Sequence, residues 1–334
     1  MKVLHSWLQM DSHHHQDKFF YQMTLLSILA AKKSFGNIHL YTNKEGKKHF
    51  DQFNFPYDSV NTELEGMDCT KGGFAMGKVK TYTLQDEPFI HIDHDTFLFE
   101  SKYLPDSYRF YFGFPDLQLP FTMRSWNMIN ETYFKTYNEF SDLFDKNFYL
   151  KTNFDIIPNA SIFGGTDLLS IKEVYNTLLD IYFQEKERFD KVKHSSALLE
   201  QFLFFPMAEL LIPEVQCNQR WIQDNSYIWS QNVPLKVEDD GVYIHGRHNF
   251  DINGDEIEKF GYKTECYDSK MRILIDNWFG GFLHLAHFKD DITMRWVMLE
   301  KLKKYYDAEE YLNRIDELFP EKEPWESNIF ESLL

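Results

Sequence analysis

Residues 89–99 read Phe-Ile-His-Ile-Asp-His-Asp-Thr-Phe-Leu-Phe. A short apolar run with the look of a buried strand ends in two carboxylates, Asp93 and Asp95, two positions apart. Side chains alternate between the faces of a strand, so residues i and i+2 point the same way. Asp93 and Asp95 are therefore expected to project together from the carboxyl end of the strand. Open α/β sheets bind ligands at that rim. Like charges set together repel unless a proton or a cation joins them. A hard divalent ion, Mn²⁺ or Mg²⁺, would remove the repulsion and keep positions open for phosphate oxygens. Asp-x-Asp is also common in exposed turns; delivery by a buried strand sets this one apart.

Working outward, strands and helices alternate. Residues 2–8 read as a first strand, 9–17 as a polar loop, and 19–31 as a helix with Phe20, Met23, Leu25, Ile28 and Leu29 at helical spacing. A second strand is expected at 38–41, a helix at 44–53, a loop-rich stretch at 54–73, and a short helix at 77–85 before the Asp93 strand. This order predicts βαβ units and a largely parallel sheet. Further on, 108–114 reads as a strand and 131–145 as a helix. Residues 155–163 read as a strand and turn, stopped by Gly164-Gly165. Thr166 or Asp167 then caps a long helix over 168–186. A helix interrupted near Pro206 is expected over 196–211, short strands over 234–262, an apolar segment over 282–288, and helix from Ile292 onward.

The chain has 334 residues, 43% of them hydrophobic and 17% aromatic, enough for a large folded core and unlike a disordered chain. The formal charge of −17 speaks against a nucleic-acid binder, which needs a basic footprint. No apolar run approaches the roughly 20 residues of a membrane span. Polar residues enter Met1-Lys2-Val3-Leu4-His5 too early for a secretory signal. The three cysteines, Cys69, Cys217 and Cys266, are scattered and form no CxxC pair, which suits a reducing compartment. A cytoplasmic, bacterial protein is expected.

Other segments carry chemistry. In Asn159-Ala160-Ser161-Ile162-Phe163-Gly164-Gly165, the glycines permit close backbone approach, so a polar ligand is expected against Asn159, Gly164 and Gly165; a simple turn before a helix is the other reading. In His284-Leu285-Ala286-His287-Phe288-Lys289, alternation puts the two histidines on opposite faces. His287 is the preferred third metal ligand because it shares a face with Lys289, a candidate phosphate contact. Lys78, opening a helix that runs toward the metal strand, is a second candidate phosphate contact. Trp7 stacks on a base or packs in the core. His94, between the carboxylates, is grouped with the donor-binding residues. His13-His14-His15 reads as a solvated loop.

Together these segments resemble a GT-A fold, nucleotide-sugar glycosyltransferase. The pieces that match are Val3–Trp7, the Lys78 helix, Ile90 to Asp95, Asn159 to Gly165, and His287 with Lys289. The chain resembles bacterial proteins of the DUF6734 type and, distantly, glycogenin-like galactosyltransferases. The resemblance implies an α/β, Rossmann-like, mixed and mostly parallel sheet flanked by helices. It implies a domain over 1–291, with a nucleotide-binding half (1–100) and an acceptor half (101–291), then a C-terminal helical extension over 292–334. It implies a UDP-sugar donor held through Mn²⁺ or Mg²⁺, and a carbohydrate or glycoconjugate acceptor. Asp93 would contact the ribose or sugar as well as the metal, Asp95 and His287 would ligate the metal, and Glu200-Gln201 would be the acidic-Gln pair near the sugar. The glycogenin-like group carries a glycine between its histidine and lysine that this chain lacks, so His284 and His287 both stay open as the ligand. The function implied is sugar transfer to an acceptor hydroxyl, hexosyl and retaining by preference. Two other classes stay open. One is a haloacid-dehalogenase-like phosphatase or phosphotransferase, although Phe97 stands where that motif carries Thr. The other is a non-catalytic nucleotide-sugar-binding protein.

Overall fold

The computed structural model describes residues 1–10, 17–69, 73, 75–98, 109–117, 140–143, 156–192, 195–204, 207, 219–222, 235–238, 241–245, 249–250, 256–258, 261–262, 282–284 and 292–321. The central sheet begins with β1 (Lys2–Trp7), followed by α1 (Lys18–Phe35), β2 (His39–Thr42), α2 (Lys44–Asp51), β3 (Ser59–Asn61), α3 (Met76–Thr83), β4 (Phe89–Ile92) and β5 (Thr96–Leu98). The chain continues through β6 (Phe110–Leu117), β7 (Ile156–Gly165), α4 (Leu168–Gln184) and β8 (Gln219–Ile222). Smaller strands follow: β9 (Leu235–Glu238), β10 (Gly241–His245), β11 (Asn249–Phe250), β12 (Glu256–Glu258), β13 (Gly261–Tyr262) and β14 (Phe282–His284). Helices α5 (Ile292–Tyr305) and α6 (Glu309–Leu318) come last.

Seven strands form one sheet in the order β3-β2-β1-β4-β7-β6-β8. All run parallel except β7, which is antiparallel to both β4 and β6. This is the mixed, mostly parallel α/β arrangement that the sequence predicts. All four residues of β4 are buried, as expected of a strand covered on both faces.

The two faces are sorted by alternation. Val3, Leu40, Ile90, Ile92 and Ile162 meet α1, α5 and α6 in one apolar cluster. Leu4, Tyr41, Phe89 and Phe163 meet α3 and α4 in another. Met298, Leu299, Leu302, Leu312 and Ile315, from the last two helices, belong to the first cluster, so these helices are part of the main core. The long helices start and stop by chemistry legible in the sequence. The Asp17 carboxylate accepts from Phe20 N at 2.9 Å to cap α1, and Gly36, at φ 81°, ends it. The Asp167 carboxylate accepts from Ser170 N at 3.1 Å to cap α4.

Three expectations change. The stretch 54–73 contains a strand, β3, on the sheet edge. Gly164-Gly165 does not stop β7 but ends within its ladder, opposite Ile90 and Phe89 of β4. Residues 198–202 form a wide π-type turn where an ordinary helix was expected. Most of the helix expected over 131–145, and His13 to His15, lie outside the described residues.

Candidate active site

β4 delivers Asp93 to the carboxyl edge of the sheet, where the Asp93 N–H donates to Ser161 O at 3.0 Å. The odd residues 89, 91 and 93 of this segment face α3. Phe89 packs in the α3 cluster, and the His91 ring meets Tyr82 edge-on at 5.2 Å. Asp93 continues the series and meets Lys78 of α3, with Lys78 Nζ 2.6 Å from Asp93 Oδ1. The same ammonium lies 2.5 Å from Glu200 Oε1 and donates to Ala160 O at 2.6 Å. Four segments that are remote in the chain therefore converge on one nitrogen.

Glu200 reaches this point from the π-type turn, where Leu203 N donates to Leu198 O at 2.9 Å. Such wide turns occur often at functional sites. The Tyr175 hydroxyl donates to Glu200 O at 3.0 Å and fixes the turn from below. The side chains of Lys78 and Glu200 are 11% and 9% exposed, while that of Asp93 is 32% exposed. Burial works against the Lys78 charge, but Asp93 and Glu200 outweigh it and push the ammonium well above its usual range. Burial pushes the Glu200 carboxyl up, and Asp93 adds to the rise against the pull of Lys78. His91, beneath the group, is held neutral by burial and by the Lys78 charge.

The alternation that places Asp93 does not extend to Asp95. The strand gives way to a tight turn, closed by Thr96 N donating to Asp93 O at 2.9 Å. Asp95 lies in that turn and is 5% exposed. The two carboxylates thus share a turn rather than a strand face.

Residues 1–260 match the family described as "Family of unknown function (DUF6734)". The chain belongs to the DUF6734 family. Solved structures similar to this DUF6734 chain include the glycosyltransferase GlyE of Streptococcus pneumoniae TIGR4, with a TM-score of 0.42 and 10% identity over 96% of this chain and 63% of that one. Another is mouse xyloside xylosyltransferase 1 in its apo form, with a TM-score of 0.36 and 12% identity over 68% of this chain and 86% of that one. The DUF6734 chain thus spans less than two thirds of the length of GlyE. None of the curated proteins compared with it matches.

The other foreseen residues of the DUF6734 chain fall in several places. Trp7 and His94 lie together on the α1 side of the sheet, with ring centroids 5.8 Å apart, alongside Phe20 and Phe50. His94 Nε2–H donates to Ser6 O at 3.1 Å, and its Nδ1 accepts from the Thr24 hydroxyl at 3.3 Å. Both ring nitrogens are thus engaged within the protein. Trp7 Nε1 donates to Gln9 Oε1 at 2.9 Å.

Gly164 and Gly165 pair with the amino end of β4, four strand positions from Asp93 in the case of Gly165, or about 13 Å. A methyl group at Gly164 would overlap the Phe89 carbonyl, and one at Gly165, where φ is 155°, would overlap the Arg109 carbonyl. These glycines serve the close approach of backbones. The other end of the same segment supplies the site, through the carbonyls of Ala160 and Ser161. The Asn159 backbone stands opposite Gly113 of β6. Gln201 follows Glu200 on the wide turn and is half-buried. β14 pairs with β5 so that His284 stands opposite Thr96, next to Asp95 in the chain. His287 and Lys289 lie outside the described residues.

The donor set suits the implied ion. Lys78 offsets one carboxylate of its pair, so the triplet carries one carboxylate more than it has ammonium groups, and Asp95 lies in the turn that follows Asp93. Hard oxygens with excess negative charge suit Mn²⁺ or Mg²⁺. Among the described residues, no three His, Cys, Asp or Glu side chains gather as a metal-holding group. An ion held by Asp93 and Asp95 would take its remaining ligands from phosphate and water, as Mg²⁺ commonly does. Among the described residues, no helix is long and apolar enough to cross a membrane.

Proposed function

We propose that this chain is a metal-dependent glycosyltransferase that moves a sugar from a nucleotide diphosphate, a UDP-sugar by preference, to an acceptor hydroxyl. The observation that carries the reading is the meeting of Asp93, Lys78 and Glu200 at the carboxyl edge of a mixed α/β sheet. Burying charge there is costly, and a cluster of shifted ionisable groups at such an edge is a candidate for chemistry.

In this reading Asp93 and Asp95 hold Mn²⁺ or Mg²⁺, which supplies Lewis-acid stabilisation of the diphosphate leaving group when bound. The half-exposed Asp93 orients the donor's ribose or sugar. Glu200, its carboxyl buried against the Lys78 ammonium, stabilises positive charge that develops at the anomeric carbon as the glycosidic bond breaks. Such a role suits transfer with retention. Gln201 adds a neutral amide to the sugar side. His284 or His287 is the proposed third metal ligand, and Lys289 the proposed cation for the diphosphate. The β14 register supports His284 in this set, because that residue stands opposite Thr96, beside the Asp93–Asp95 turn. The reading extends to a carbohydrate acceptor and a cytoplasmic site of action.

The test is turnover of a panel of UDP-sugars with Mn²⁺, with and without EDTA, using Asp95→Ala as control. Release of UDP that is lost in both cases supports the proposal. Turnover unaffected by either change rejects the metal role.

A further inference from the structure

We infer that Lys78 is a positioning residue of the transfer site: its ammonium aligns Asp93 and Glu200 with each other and makes no contact with the donor's diphosphate. A lysine ammonium has three N–H donors. Here its three close acceptors are Asp93 Oδ1 at 2.6 Å, Glu200 Oε1 at 2.5 Å and Ala160 O at 2.6 Å. They come from the turn after β4, the wide turn before residue 203, and β7. The stem is enclosed, so the ammonium has no slack to swing toward a ligand while keeping them.

A phosphate contact would require Lys78 to release one acceptor. Releasing Glu200 would leave a buried carboxylate without its cation, which is strongly unfavourable. Releasing Ala160 would strand a strand carbonyl on the protected side. The arrangement is also more than a stabilising ion pair, because a buried pair is seldom more stable than apolar side chains of the same volume. What the ammonium secures is geometry. Glu200 sits on a turn wound outside the ordinary helix, and Lys78 ties that turn to the residue that orients the donor. Misplacing a reacting group by about 1 Å can cost roughly 100-fold in rate.

The inference rests on the glycosyltransferase reading for its kinetic half. Its test compares Lys78→Met, Lys78→Arg, Asp93→Asn, Glu200→Gln and the double variant Lys78→Met/Glu200→Gln in the full chain. UDP affinity is measured calorimetrically with Mn²⁺, UDP release kinetically from the UDP-sugars, and melting without ligand. Lys78→Met is expected to lower kcat by about 100-fold and to weaken UDP binding no more than Asp93→Asn does, since its effect on affinity passes through Asp93. Glu200→Gln is expected to lower kcat similarly with UDP affinity retained, the double variant to be no slower than the worse single variant, and Lys78→Arg to recover part of kcat. A drop in UDP affinity in Lys78→Met that exceeds the drop in Asp93→Asn by roughly tenfold would overturn the inference by assigning Lys78 to the diphosphate. Losses that multiply in the double variant would also overturn it. A wild type that neither binds UDP nor releases it overturns the glycosyltransferase reading instead. The alignment is then decided by melting: a double variant no less stable than Lys78→Met supports it, and independent, additive losses overturn it.

Discussion

Asp93 and His94 are neighbours in the chain and face opposite sides of the sheet. Asp93 meets Lys78 of α3, and His94 meets Thr24 of α1. Asp93 continues the period-two alternation of β4, and the turn that begins there carries His94 to the opposite side. This division separates a side that gathers charge from a side that gathers rings, and it predicts different consequences for substitutions one residue apart.

On the ring side, His94→Ala removes contacts to Trp7, Phe20, Phe50 and His5, and its bonds to Ser6 and Thr24. The expected outcome is a loss of stability of about 1–3 kcal/mol with UDP affinity retained. Urea unfolding followed by calorimetry of the folded variant checks it.

Gly164→Ala drives a methyl group into the Phe89 carbonyl at the centre of the sheet. Because backbone rather than a flexible side chain is in the way, relief requires β4 and β7 to part. A destabilisation on the order of 3 kcal/mol is expected, read from the urea midpoint. Any surviving folded fraction is expected to bind UDP as the wild type does, because this position lies at the far end of β4 from Asp93.

Acidification gives a third expectation. Burial, with His94 adding to it, holds His5 well below its ordinary value of 6.5. Burial, with Lys78 and two histidines adding to it, does the same for His91. His5 donates to the Ser27 hydroxyl, which donates onward to Thr96 O, and it accepts from the Tyr57 hydroxyl. Folding keeps both rings neutral, so the unfolded chain binds more protons than the folded one once pH drops below about 6.5. Stability is therefore complete above that value and declines as pH falls from it toward the lower folded values. Melting temperatures between pH 8 and about pH 5, above most carboxylate titrations, should show the decline, and His5→Gln should flatten it.

The last two helices supply the fourth. Leu302 is fully buried among α1 and the sheet. Leu302→Ala is expected to cost about 2–5 kcal/mol, measured by urea unfolding, although the residue lies beyond the part of the chain that matches the family. A loss under about 0.5 kcal/mol, the range of ordinary surface substitutions, would contradict the packing described.

Much of the frame was legible because local chemistry and tertiary need agree. The apolar run before Asp93, the Asp167 cap and the helical spacing from Phe20 to Leu29 each state their structure directly. β3 was missed because Ser-Val-Asn is short, half-exposed and without alternation. Gly164-Gly165 reads as a stop, since nothing local reveals that β4 and the Arg109 backbone press on both sides. The pairing of Asp93 with Asp95 by alternation fails for a similar reason: a turn closed by Thr96 interrupts the strand. The Lys78–Glu200 contact carries no sequence signal. It depends on a wide turn that periodicity does not announce, and on a lysine whose depth is set by segments 82 residues away at Ala160 and farther at Glu200.

The most direct test of the central claim is UDP release from UDP-sugars in the presence of Mn²⁺, comparing the wild type with Asp93→Asn. The account predicts measurable release by the wild type and a fall of about 100-fold in the variant, with the fold retained. A wild type that releases no UDP from any UDP-sugar, or an Asp93→Asn variant as active as the wild type, would contradict it.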